Sequence, residues 1–175
     1  MKRILTAFSL SVLAVPVLAQ GPPMPTPGPE HAMLGKDVGT WDATVEMFMP
    51  GAPPSVSKGT ESVTMMGGFW QLTEFKSEMM GMSFEGRGTM GFDPTKKKFV
   101  GTWVDTMAPA YYTVEGTYDA ATKTLTGWMD GPDQTGVVTK TKETTEWKDA
   151  DTRVFTMYAP DGKAVAMRIS YKRRK

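Results

Sequence analysis

The side chains best placed to do chemistry are charges that alternate with large rings. Trp70, Leu72 and Glu74 follow one another in two-residue steps, as do Phe99, Gly101, Trp103 and Asp105. In an extended chain every second residue shares a face, so Glu74 and Asp105 each lie beside big apolar neighbours. A carboxylate on such a face needs a partner if that face is buried. Arg87, flanked by Gly86 and Gly88, is the natural one. Trp70, Glu74, Arg87, Trp103 and Asp105 therefore form the candidate ligand-binding set, with the charges as polar anchors in an apolar cavity. A pair of carboxylates could instead serve glycoside hydrolysis, which needs them about 5–9 Å apart. The spacing in sequence does not set that separation, and no catalytic residue is assigned.

Other reactive types are scarce. His31 is the one histidine, and there is no cysteine. A nucleophile elbow of the Gly-x-Ser-x-Gly type is absent. Zinc and haem lack a ligand set, so neither metal nor cofactor is expected. His31 is expected to hydrogen-bond at the barrel end or to the backbone. Methionine is abundant, 15 residues, and Met79-Met80-Gly81-Met82 could attract Cu(I) through thioether sulfur. Consecutive Met residues point to opposite sheet faces, however. Met47, Met49, Met90 and Met167 fall on apolar faces, which favours adaptable packing.

These residues sit on short strands. From Trp41 onward the chain alternates runs of Val, Thr, Met and aromatic residues with breaks. The plainest breaks are Gly67-Gly68, Asp93-Pro94-Thr95-Lys96, Asp119-Ala120-Ala121-Thr122, Asp149-Ala150-Asp151 and Pro160-Asp161-Gly162. The pattern predicts strands at 40–49, 59–66, 69–78, 83–92, 98–107, 110–119, 123–130, 136–147, 152–159 and 163–173. Short links favour an antiparallel meander. With no second helical layer to cover the apolar faces, the sheet is expected to close on itself. The predicted fold is all-β: a single up-and-down antiparallel β-barrel of about ten strands, preceded by a short helical turn at 29–34. Gly86, Gly88, Gly91, Gly101, Gly116 and Gly127, inside strands, are expected to serve the bends of a small barrel.

The N-terminus reads as an export signal. Lys2 and Arg3 precede an apolar run, Ile4 to Leu18, too short to span a bilayer. Cleavage is expected after Ala19, leaving a Pro-rich linker at 20–29 and a barrel domain at 30–175. The destination is the periplasm or the medium, with no stable membrane insertion after cleavage. Losing Lys2 and Arg3 takes the formal charge from +1 to −1, and this near-neutral balance argues against nucleic acid as a partner.

Several motifs together resemble a known family. They are Pro29-Glu30-His31, Gly39-Thr40-Trp41, Pro50-Gly51, Gly86-Arg87, Gly91-Phe92-Asp93-Pro94, Phe99-Val100-Gly101-Thr102-Trp103-Val104-Asp105 and Gly131-Pro132. In this order they resemble the domain-of-unknown-function family 1579, bacterial proteins without an established activity. That resemblance implies a bacterial source and a calycin-like barrel, and implies no reaction. Gly39-Thr40-Trp41 after a helical turn is also similar to lipocalins, where an Arg of the last strand packs over the Trp. That likeness makes Trp41 and Arg173 the pair that closes the barrel end, Arg173 being preferred to Arg168 because it has the inward parity. The ten-stranded haem-binding nitrobindin barrel is similar in architecture alone, since such barrels ligate haem through a His on a late strand. The expected function is non-enzymatic binding of a small apolar or amphipathic molecule. An enzyme using Glu74, Arg87 and Asp105, or a structural barrel with a filled core, are the alternatives.

Overall fold

The structure, a computed structural model, describes residues 24–79, 81–133 and 135–175. The expected signal peptide and its cleavage after Ala19 lie outside the described residues. Ten antiparallel strands close into a barrel in which every strand pairs with its neighbours in sequence and β1 pairs with β10. They are β1 (Gly39–Met47), β2 (Ser55–Met66), β3 (Trp70–Met79), β4 (Met82–Asp93), β5 (Lys98–Asp105), β6 (Ala108–Asp119), β7 (Thr124–Pro132), β8 (Val138–Trp147), β9 (Thr152–Tyr158) and β10 (Val165–Arg173). One helix, α1 (Pro29–Gly35), precedes them. The expected barrel is thus the observed one. β2 starts earlier than expected, because Ser55 to Lys58 continue the ladder opposite Met47 to Thr44 despite their polarity.

Aspartate side chains build most of the hairpins. At Asp93, Asp119, Asp149 and Asp161 the carboxylate accepts the backbone N–H two residues on, at 2.8–2.9 Å. This Asx geometry turns the chain without help from water. Pro29 opens α1 at a position where its missing N–H costs nothing. The Gly28 N–H, left free by the helix start, donates to His31 Nδ1 at 3.0 Å. His31 also meets Phe69 and Phe92 edge-on. The last linker residues are in contact with the barrel, since Pro27 lies close against Gly68.

Two apolar clusters divide the interior. Beneath α1, Leu34, Phe99 and Leu125 pack with Phe92, Tyr118 and Trp147 and close one end. Along one wall, Trp41, Ala43, Val45, Val63, Phe75, Phe84, Ile169 and Tyr171 form the larger cluster. Some strand glycines also make room for side chains. A Cβ on Gly86 would lie 2.1 Å from the Trp103 ring, and one on Gly131 would lie 2.0 Å from the Tyr112 ring. Gly86, Gly88 and Gly131 are seats on which the inward rings of Trp103 and Tyr112 lie against the sheet. Rings held flat leave space between opposite walls.

Candidate functional site

The space is a cavity of about 1600 Å³. It opens at the end opposite α1, among the loops that carry Met49, Met107, Gly136 and Pro160. Its wall is mainly apolar: Phe75, Phe84, Met90, Trp103, Met129, Phe155, Met167 and Ile169 are among the lining residues. Thr73, Thr139, Thr141 and Thr145 add hydroxyls. Small-molecule pockets typically run to roughly 300–1,000 Å³, so this interior is not filled by its own side chains.

Two of the five expected ligand-binding residues line it. Trp103 and Asp105 face inward from β5, and the Trp103 indole N–H donates to Asp105 Oδ2 at 2.9 Å. The other carboxylate oxygen accepts the Met107 N–H at 2.8 Å, so Asp105 ties the mouth hairpin to the indole. Glu74 and Arg87 are outside. They stand opposite each other on β3 and β4 and form an ion pair at 3.2 Å, with 33% and 60% of their side chains exposed. Lys76 and Glu85 extend that surface network. Trp70 is outside too, lying over Gly91. The expectation for Trp70, Glu74 and Arg87 is corrected: they share a face as expected, and it is the outer one. Gln71, Thr73 and Phe75 hold the inward parity of β3, with Phe75 taking a place in the core.

Asp105 apart, the polar groups that reach the interior were not singled out from the sequence. At the base of the cavity Arg153, from β9, pairs with Glu61 of β2. Its Nε is 3.8 Å from Asp37, the residue that follows α1 and Lys36. All three are nearly inaccessible. The Arg153 guanidinium lies 4.2 Å from the centre of the Tyr171 ring and 4.7 Å from that of Trp41. Burial raises the Glu61 carboxyl, opposed by the Arg153 charge and by a hydrogen bond from Tyr171. The same burial, with Glu61 beside it, pushes the Tyr171 phenol well above its usual range. Asp37 is held from several sides. Trp147 Nε1 donates to its carboxylate at 2.7 Å, and Trp41 Nε1 donates to its backbone carbonyl at 2.9 Å.

Trp41 is fully buried, and a second guanidinium closes it from below. Arg173 lies 4.1 Å from the indole centre and donates to the carbonyls of Val38 and Lys36, both at 2.6 Å. Arg168 is elsewhere, on the outer face against Phe48. The end of the barrel is therefore a stack of Arg173, Trp41, Arg153 and Tyr171, locked by Asp37 and Glu61. Each of its cations lies beside a carboxylate or carbonyl, although Arg153 Nε, 3.8 Å from Asp37, is buried without a hydrogen bond.

Glu143 is different. It faces inward from the middle of β8, opposite Gly127 on β7 and Met157 on β9. A Cβ on Gly127 would sit 3.1 Å from Glu143 Oε1, so the absent side chain makes room for the carboxyl. Desolvation, with no opposing charge, raises Glu143 to about 7. A sequence signal for Glu61 and Arg153 existed: they share parity with Val63 and with Phe155. None existed for Glu143, because both faces of β8 are polar. Among the described residues no group of three or more His, Cys, Asp or Glu side chains is arranged to hold a metal ion.

The chain belongs to the family described as protein of unknown function (DUF1579), which it matches over residues 26–173. No curated protein matches it by sequence. Among solved structures it is similar to Rv2717c from M. tuberculosis, at 12% identity and a TM-score of 0.65, over 86% of this chain and 100% of that one. It is also similar to the S-type phycobiliprotein lyase CPES from Guillardia theta, at 12% identity and a TM-score of 0.53, over 85% of this chain and 99% of that one. Identities this low establish a shared barrel fold. The class defined is a calycin-like barrel with a closed end and an open interior.

Proposed function

We propose that this protein is an exported, non-enzymatic carrier that holds a small apolar or amphipathic molecule inside the barrel. The observation that carries the reading is the cavity of about 1600 Å³, open at one end and lined mainly by aromatic and Met side chains. Burying apolar ligand surface against such a wall contributes about 25 cal/mol per Å². Flexible Met side chains at 79, 90, 129, 157 and 167 can adapt to more than one ligand shape. The rim supports apolar entry: Met49, Met107 and Val137 are exposed there. Export rests on Lys2, Arg3, the run Ile4 to Leu18 and the small residue Ala19.

Native mass spectrometry of protein purified from its own host tests both parts. A co-purifying small molecule lost on denaturation, with Gln20 as the first residue, is the expected result. A mature chain that retains Met1 to Ala19 overturns export. A barrel that carries nothing and binds no neutral apolar probe overturns the carrier reading.

A further inference from the structure

Electrostatics of the wall say what kind of head group the proposed ligand has. Four carboxyl side chains line the cavity, Glu61, Asp105, Asp133 and Glu143, against one basic side chain, Arg153. Arg153 is already committed to Glu61 and lies beside Asp37. Asp105 is engaged by the Trp103 indole and the Met107 N–H, and Asp133 by the Thr135 N–H and hydroxyl. Among the described residues, Glu143 alone of these four carboxyls has no donor.

Glu143 is half-buried at the cavity wall, and desolvation alone raises its carboxyl. The residues around it on the inner surface are Gly127 and Met129 of β7, Phe155 and Met157 of β9, and Thr141 and Thr145 of β8; none of them titrates. Arg153 is the nearest basic group along β9. It stands four residues from Met157, the register partner of Glu143, or about 13 Å along a strand. The lysines beside Glu143 in sequence are occupied elsewhere: Lys140 pairs with Asp130 and Lys142 lies over the Tyr158 ring. A carboxyl that faces an apolar cavity without a partner is costly to ionise and is balanced most directly by a charged donor from outside the chain.

Resting on the carrier reading, we infer that Glu143 is the head-group site of the cavity and that the ligand is a lipophilic cation, an alkylamine-like molecule whose ammonium pairs with the Glu143 carboxylate while its apolar body lies along Trp103, Met129 and Phe155. A fatty-acid-like anion is disfavoured by the same wall, because the only cation it could reach is shared between two carboxylates.

The test compares three twelve-carbon probes on the full mature chain: dodecylamine, dodecanol and dodecanoate. Trp103 in the wall supplies the fluorescence readout. At pH 8 dodecylamine should bind at least tenfold more tightly than dodecanol, and dodecanoate more weakly than either. With Glu143 titrating at about 7, dodecylamine affinity should rise about tenfold between pH 6 and pH 8, following the ionised fraction. Dodecanol affinity should stay flat. Glu143→Gln should remove both the amine preference and the pH dependence while leaving dodecanol binding intact, which also shows that the variant is folded. Tighter binding of dodecanoate, or a Glu143→Gln variant that keeps the amine preference, overturns the inference and leaves the carrier standing. Failure of all three probes to bind overturns both.

Discussion

The two ends of the barrel use the same strands and the same alternation to opposite effect. At the closed end the buried charges lie next to opposite charges, with Arg153 Nε, among the described residues, the one buried side-chain polar atom left without a hydrogen bond. Arg153 faces Glu61 and Asp37, Asp37 is held by two indoles, and Arg173 covers the outer face of Trp41 while bonding to backbone carbonyls. In the wide half, rings are laid flat on glycines, threonines replace aliphatic residues on β8, and one carboxyl is unmatched. Satisfied polar networks hold a fold in one arrangement. An unpaired carboxyl facing a cavity is available to a ligand. The contrast separates polar residues that serve the barrel from the one free for the proposed ligand.

The largest effects should fall at the closed end. Arg153→Met leaves Glu61 and Asp37 buried without their cation, and breaking a buried pair in this way costs about 3–5 kcal/mol. Chemical denaturation should show that loss, and the double variant Glu61→Leu/Arg153→Met should recover part of it. An Arg153→Met protein that is as stable as the parent but no longer binds a neutral probe would move the site to the closed end. Trp41→Ala should cost a similar amount, about 3–5 kcal/mol, because it empties the middle of the guanidinium stack.

A smaller effect, of opposite sign, is expected in the wide half. Glu143 is raised from 4.5 to about 7 by burial. The folded protein therefore holds this proton more tightly than the unfolded chain does. Stability linked to the group is full below about pH 4.5 and is lost as pH rises through about 7. Glu143→Gln removes the charging penalty. Its advantage over the parent should grow from near zero at pH 4 to about 3 kcal/mol at pH 8, measured by urea unfolding across that range. An advantage that is constant with pH would mean that Glu143 is solvated.

The smallest effects belong to the outer face. Glu74→Gln and Arg87→Ala disturb an exposed pair and should each change stability by no more than about 0.5 kcal/mol. Neither should change retention of a ligand. A loss of binding in either variant would put functional groups on the outside of the barrel.

Much of the architecture is legible along the chain. Val165, Met167, Ile169 and Tyr171 alternate with polar residues, as do Trp41, Ala43, Val45 and Met47, and both strands turn those faces inward. The Asp-led breaks mark hairpins because the carboxylate bonds its own backbone, a local effect that needs no tertiary contact. The inward parity of Arg173, two residues beyond Tyr171, was legible for the same reason. Which face of β3 is inner was not. Trp70 and Leu72 on one side compete with Gln71, Thr73 and Phe75 on the other, and local pattern is nearly balanced. Only closure of the sheet, which commits Phe75 to contact with Phe84 and Tyr171, decides it. Glu143 is the extreme case. Hydrophobic alternation reports dense packing, and β8 borders open space, so its inner face carries Thr and Glu without penalty from neighbours. Strand identity and turn chemistry are short-range and are written in the residues themselves. The open interior, and the carboxyl that faces it, depend on all ten strands closing at once.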